Sequence, residues 1–89
     1  MGIAEVLLTR GWVQGVYSND EGVCLMIAAA MPYKCTADAT VAWDVVTQLV
    51  GVSRGERAEC AITRWNDTPG RTFKEVLRVA RMADAKLGL

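Results

Sequence analysis

The chain contains no histidine. Without an imidazole, Ser-His and Cys-His nucleophilic catalysis, most zinc sites and histidine pH switching are excluded. Cysteine is sparse and odd in number: Cys24, Cys35 and Cys60. Their spacing is too wide for a C-x-x-C zinc or redox motif, so reduced thiols in a cytoplasmic setting are expected. Long apolar runs are also missing. The longest, over 23–32, is about ten residues, whereas a membrane-spanning helix needs about 20. The start Met1-Gly2-Ile3-Ala4-Glu5 lacks the basic n-region and apolar core of a secretory signal. There is no excess of either charge, no internal repeat, no low-complexity stretch and no flexible linker. No metal, cofactor or membrane contact is expected, and no catalytic residue stands out.

What is present is apolar. The 89 residues, one helical domain over 1–89, are 52% hydrophobic. A domain this small buries only about 60–65% of its unfolded surface. Some of that apolar surface is therefore expected to meet a partner, either a second copy in a homodimer or higher oligomer, or another protein. The alternative is a core rich in alanine and valine. The zero net charge is unevenly spread. Residues 1–53 carry two basic side chains (Arg10, Lys34) and five acidic ones, a net of −3; residues 54–89 carry eight basic and five acidic, a net of +3. Such a molecule can pair head to tail or offer its basic end to an anion, unless solvated helix faces simply differ.

Apolar periodicity predicts the elements. Ile3, Val6 and Leu7 have helical spacing, with Gly11 as the stop. The glycine-bracketed stretch Trp12-Val13-Gln14-Gly15-Val16-Tyr17 reads as a connector pinning two aromatics against the body. Ser18-Asn19-Asp20-Glu21 has the form of a capping box. It introduces a helix over 22–31 that is apolar nearly all round, hence central and buried, and is stopped by Pro32. A loop over 31–35 leads to a third helix over 38–50, capped by Thr36 or Asp38. Ala39, Ala42, Trp43, Val46, Leu49 and Val50 form its inner stripe, and Val41, Val45 and Val52 a strip outside it. Residues 58–64 form a short helical element with Cys60, Ala61 and Ile62 facing in. Thr68-Pro69-Gly70-Arg71 fits a type II turn. Thr72-Phe73-Lys74-Glu75 is a second capping box, opening a last helix to about 86 with Phe73, Val76, Leu77, Ala80, Ala83 and Leu87 on one face. The expected fold is all-α: a compact bundle of four main helices plus a short helical element, around the central apolar helix.

Three segments carry a resemblance: Gly11-Trp12-Val13-Gln14-Gly15, Gly22-Val23-Cys24-Leu25, and Trp65-Asn66-Asp67-Thr68-Pro69-Gly70-Arg71-Thr72 with Glu75-Val76. In this order the chain resembles a family of small uncharacterised proteins of actinobacteria and their phages, and the Trp-Asn-Asp block is the strongest part of the match. The resemblance implies an all-helical domain and supplies no activity. Members often have a longer N-terminal helix, so a compact version starting at Met1 suits a phage gene acting in the cytoplasm of its bacterial host. A truncated first helix would take its packing partner from a second copy.

Candidate sites are few. The Trp65-Asn66-Asp67 loop offers a ring for stacking and two polar side chains for a ligand hydroxyl or amine. Asn and Asp are also common turn residues bonding their own backbone, and Trp a core anchor. If the two tryptophan segments meet, Trp12, Gln14, Trp65, Asn66, Asp67 and Arg71 surround one pocket. Cys24, near a helix start, is either a nucleophile with a lowered pKa or a buried core thiol. Lys74, Arg78 and Arg81 continue from Arg71 along one helical face, able to hold phosphate or nucleic acid. Zero net charge and a pI near 6.2 disfavour nucleic acid. The expected function is a non-enzymatic interaction module, phage-encoded, binding a host or phage protein or itself. The alternatives are a small-ligand binder or minimal enzyme using the Trp65-Asn66-Asp67 loop, and a nucleic-acid binder using the last helix.

Overall fold

The first helix ends where glycine permits it. In the computed structural model, which describes residues 2–33 and 36–88 (Thr36 by its backbone alone), α1 spans Ile3–Arg10 and buries Ile3, Ala4, Val6 and Leu7. Gly11, at φ +88°, donates its N–H to the Leu7 carbonyl at 2.8 Å. The other end of α1 has no local cap. Instead Asp84, 80 residues further on, accepts the amides of Ile3 at 2.7 Å and Ala4 at 3.1 Å, satisfying two of the helix's free N–H groups.

The expected capping box at Ser18 does not form. The Asn19 side chain accepts the amides of Glu21 and Gly22 at 2.8 and 3.2 Å, an Asx turn that competes with a helix start. The chain therefore folds back as a short antiparallel ribbon, β1 (Ser18–Asn19) and β2 (Gly22–Val23), with Asp20 and Glu21 at its tip. Gly22 also lies against Gly11. A Cβ on Gly22 would sit 2.4 Å from the Gly11 carbonyl carbon. This approach lets the Val23 amide reach the Gly11 carbonyl and the Val13 amide reach the Val23 carbonyl, both at 3.1 Å.

Helix α2 is consequently Leu25–Ala30 rather than 22–31, and Cys24 occupies its N-cap. It is still the central element: Leu25, Met26, Ala28 and Ala29 are buried, and it touches each of the other four helices. Helix α3, Thr36–Val50, begins two residues earlier than expected, which places Asp38 inside its first turn rather than at the cap. Lys34, Cys35 and the Thr36 side chain lie outside the described residues. Ala39, Ala42 and Val46 of its inner stripe are buried, and the Trp43 indole donates to the Met26 carbonyl at 2.9 Å. The outer valine strip is broken, because Val41 and Val52 are exposed while Val45 packs against the core.

Helix α4, Ala58–Asn66, runs two residues past expectation. Ala61, Ile62 and Asn66 face inward, and Cys60 faces solvent, contrary to the sequence reading. The next turn closes from the Arg71 amide to the Thr68 carbonyl at 3.1 Å, with Gly70 at φ +84°. The left-handed φ at that third residue is what a type II turn requires. Helix α5, Phe73–Leu87, opens with the predicted Thr72–Glu75 capping box and buries Val76, Ala80 and Ala83. The described residues thus form five helices and a two-stranded ribbon. The fold is mostly helical, but the strands depart from an all-α bundle, and the shortest helix is the central one.

Candidate functional site

Asn66 ends α4 with its side chain fully buried. Its Oδ1 accepts the Trp12 indole N–H at 2.6 Å and the Leu25 amide at 3.0 Å. Its Nδ2 donates to the Val13 carbonyl at 3.0 Å and to Asp67 Oδ1 at 2.9 Å. A carboxamide offers two acceptor and two donor positions, and all four are used. Gln14 Nε2 donates to the carbonyls of Asn66 at 2.8 Å and Thr68 at 3.1 Å. Asp67 Oδ1 also accepts the Gly15 amide at 3.0 Å.

The two tryptophan segments therefore do meet, but they close on each other instead of enclosing a pocket. Trp12 stacks on Phe73 with ring centres 6.0 Å apart and planes at 13°. Trp65 is covered by the Arg71 guanidinium, 4.0 Å from its ring centre. Arg71 Nε donates to the Trp65 carbonyl at 3.0 Å, and its Nη1 to Glu75 at 3.1 Å. Trp12, Trp65, Asn66 and Arg71 are thus engaged within the protein. Asn66 in particular is a structural hub with nothing left for a ligand, which corrects the ligand-binding reading of that residue.

Beside this hub lies an open groove of about 570 Å³, lined by Gly15, Val16, Tyr17, Ser18, Thr63 and Asp67. A second groove of about 300 Å³ adjoins it, sharing Tyr17 and Thr63 and adding Glu59, Cys60 and Arg64. Tyr17 stands between the two, 60% exposed, with Val16 beside it at 47%. The sequence reading pinned Tyr17 against the body with Trp12; only Trp12 packs. Its one signal of exposure was the position after Gly15, in a glycine-bracketed loop, where functional side chains tend to sit. Arg64 is held by Glu56 at 3.0 Å. Hydrogen bonding to Arg64 holds the Glu56 carboxyl below its usual range, and Glu56 raises the Arg64 guanidinium in turn.

Cys24 does not fit a nucleophile. Burial pushes its thiol pKa up, outweighing the lowering by the backbone amides at the start of α2, and a neutral thiol is a poor nucleophile. Lys74, Arg78 and Arg81 are exposed and line a third groove, about 450 Å³, with Glu75 and Met82. None of these three cations has an ion pair among the described residues. A fourth groove, about 290 Å³, continues from it across Leu49, Trp65 and Val79. Among the described residues no three Cys, Asp or Glu side chains cluster as a metal site requires. None of the described helices is long and apolar enough to cross a membrane.

These features define a small, mostly helical domain in which a buried asparagine network holds an exposed aromatic loop. The chain belongs to the family of unknown function DUF6197, whose sequence profile matches residues 2–86. No curated protein and no solved structure matches the chain.

Proposed function

We propose that this domain is a non-enzymatic docking module that binds a protein through the face around Tyr17. The observation that carries this reading is the exposed Tyr17 ring, set between two adjoining grooves on a loop anchored from below. Gly15 is tied to Asp67, and Gln14 to the α4 terminus. Such anchoring lowers the ordering cost of binding, and exposed tyrosine is favoured at the energetic centre of protein interfaces. The sequence adds support, since a chain without histidine lacks the commonest general base. The resemblance to small proteins of actinobacteria and their phages points to a phage-encoded accessory protein whose partner is a host or phage protein.

The test is site-specific photocrosslinking in producing cells, with a benzophenone side chain placed at Tyr17 or, as a control, at exposed Leu8. The docking reading expects a discrete crosslinked species from position 17 that is absent from position 8 and lost when Val16 is replaced by Ser. Identical patterns from both positions, or none from position 17, would overturn it.

A further inference from the structure

We propose that copies of this chain associate head to tail, with the Tyr17 face of one seated in the α5 groove of the next. The inference rests on reading the Tyr17 face as a docking surface and names its occupant as a second copy.

The two faces have complementary chemistry. At the ribbon tip and in the Tyr17 grooves, the charged side chains without an ion pair among the described residues are acidic. Asp20 and Glu21 form the ribbon tip, three and four residues beyond Tyr17. Glu59 and Asp67 line the flanking grooves, and the cation lining them, Arg64, is bound by Glu56. Along α5 the free charges are basic. Lys74, Arg78 and Arg81 line the groove without ion pairs among the described residues, and its one acid, Glu75, is taken by Arg71 and Thr72. Each face also has an apolar centre: Tyr17 with Val16 on one, and Met82, 44% exposed, on the other. A tyrosine ring suits a groove edged by guanidinium groups and a thioether.

The pairing of unlike faces follows from charge. Joining two Tyr17 faces would set Asp20, Glu21, Glu59 and Asp67 against their equals. Joining two α5 grooves would do the same with three cations. Like-charge juxtaposition of this kind is costly. The whole chain has zero net charge, so no overall repulsion keeps copies apart. The two faces share no lining residue, so both can be occupied at once, and the contact can continue into rings or filaments.

The experiment is sedimentation of the purified chain over a range of concentrations, at low salt and at about 0.5 M salt, where screening is short-ranged. The expected result is a mass that grows past the dimer with concentration at low salt and collapses to the monomer at high salt. Two variants, Asp20→Lys/Glu21→Lys and Lys74→Glu/Arg78→Glu/Arg81→Glu, change side chains that make no hydrogen bond within the described residues, and circular dichroism checks that both fold. Each alone should weaken association by about tenfold or more. An equal mixture should associate again, because the intact α5 groove of the first variant meets the intact Tyr17 face of the second. A wild-type chain that stays monomeric, a variant that still assembles, or a mixture that stays monomeric would each overturn the inference. So would a monomer whose cationic groove binds a single-stranded oligonucleotide instead. If the chain is monomeric but the Tyr17 crosslink to a foreign protein persists, the head-to-tail inference falls and the docking reading stands.

Discussion

Asn66 Oδ1 lies 2.6 Å from the indole nitrogen of Trp12, 54 residues earlier in the chain, and the bond is partly buried in the seam between α4 and the segment after α1. The same oxygen serves the first amide of α2. One side chain thus fixes where the second helix starts and how the aromatic loop is held.

Replacing Asn66 by Ala is expected to be severe. It strands the Trp12 indole N–H, the Leu25 amide and the Val13 carbonyl, at about 1–3 kcal/mol for each group left buried and unpaired. Urea unfolding should show a loss of at least about 3 kcal/mol, a large part of the about 5–15 kcal/mol typical of a whole domain. A loss below about 1 kcal/mol would mean that water or a shifted backbone takes over these bonds.

Asp84→Ala should remove the cap from α1 at a cost of about 1–2 kcal/mol. The loss should be local as well as global. Amide exchange is expected to speed up in residues 3–7 more than in α3.

Two glycines should respond very differently to a single methyl group. At Gly22 a Cβ meets the Gly11 carbonyl carbon at 2.4 Å, and backbone there has no room to yield. Gly22→Ala is expected to cost about 3 kcal/mol. At Gly15 a Cβ meets nothing within 4 Å, but φ is +80°, so Gly15→Ala should cost only about 1–2 kcal/mol of backbone strain. Thermal melts of the pair check the ordering.

The thiols should separate by reactivity and by pH. Iodoacetamide on the native protein is expected to modify exposed Cys60 and spare buried Cys24 until the chain unfolds. The folded Cys24 pKa is raised above the ordinary 9.0, chiefly by burial. The neutral thiol therefore supports folding fully below pH 9.0, and that support is lost as pH rises through the higher folded value. Melting temperature should fall more steeply above pH 9.0 in the wild type than in Cys24→Ala.

Legibility in the sequence tracked the range of the interaction. The α5 capping box, the Gly70 turn and the Gly11 stop depend on neighbours within four residues, and all three were readable. The Ser18 box does not form because the adjacent Asn19 side chain takes the Glu21 and Gly22 amides instead. The Asp84 cap on α1 was invisible, since nothing near Asp84 marks it as the partner of an amide 80 residues away. The meeting of the two tryptophan segments is only a condition in the sequence; whether they form a pocket or a sealed seam depends on Asn66 finding four partners at once. The exposure of Tyr17 is not legible locally, because an aromatic ring favours burial and the direction of its loop is set by the distant anchors at Gln14 and Gly15.

The Asp84 cap has a consequence for how the chain is made. Helix α1 is synthesised before its cap, which follows some 80 residues later in the chain. The start of α2 likewise waits for Asn66. A nascent chain that has reached residue 60 holds most of the apolar core with neither tie in place. Folding therefore completes late and depends on contacts far apart in sequence, which is slow for so helical a protein. During that interval the apolar residues of α2 are uncovered, so the growing chain is most vulnerable to aggregation and proteolysis until Asp84 has emerged.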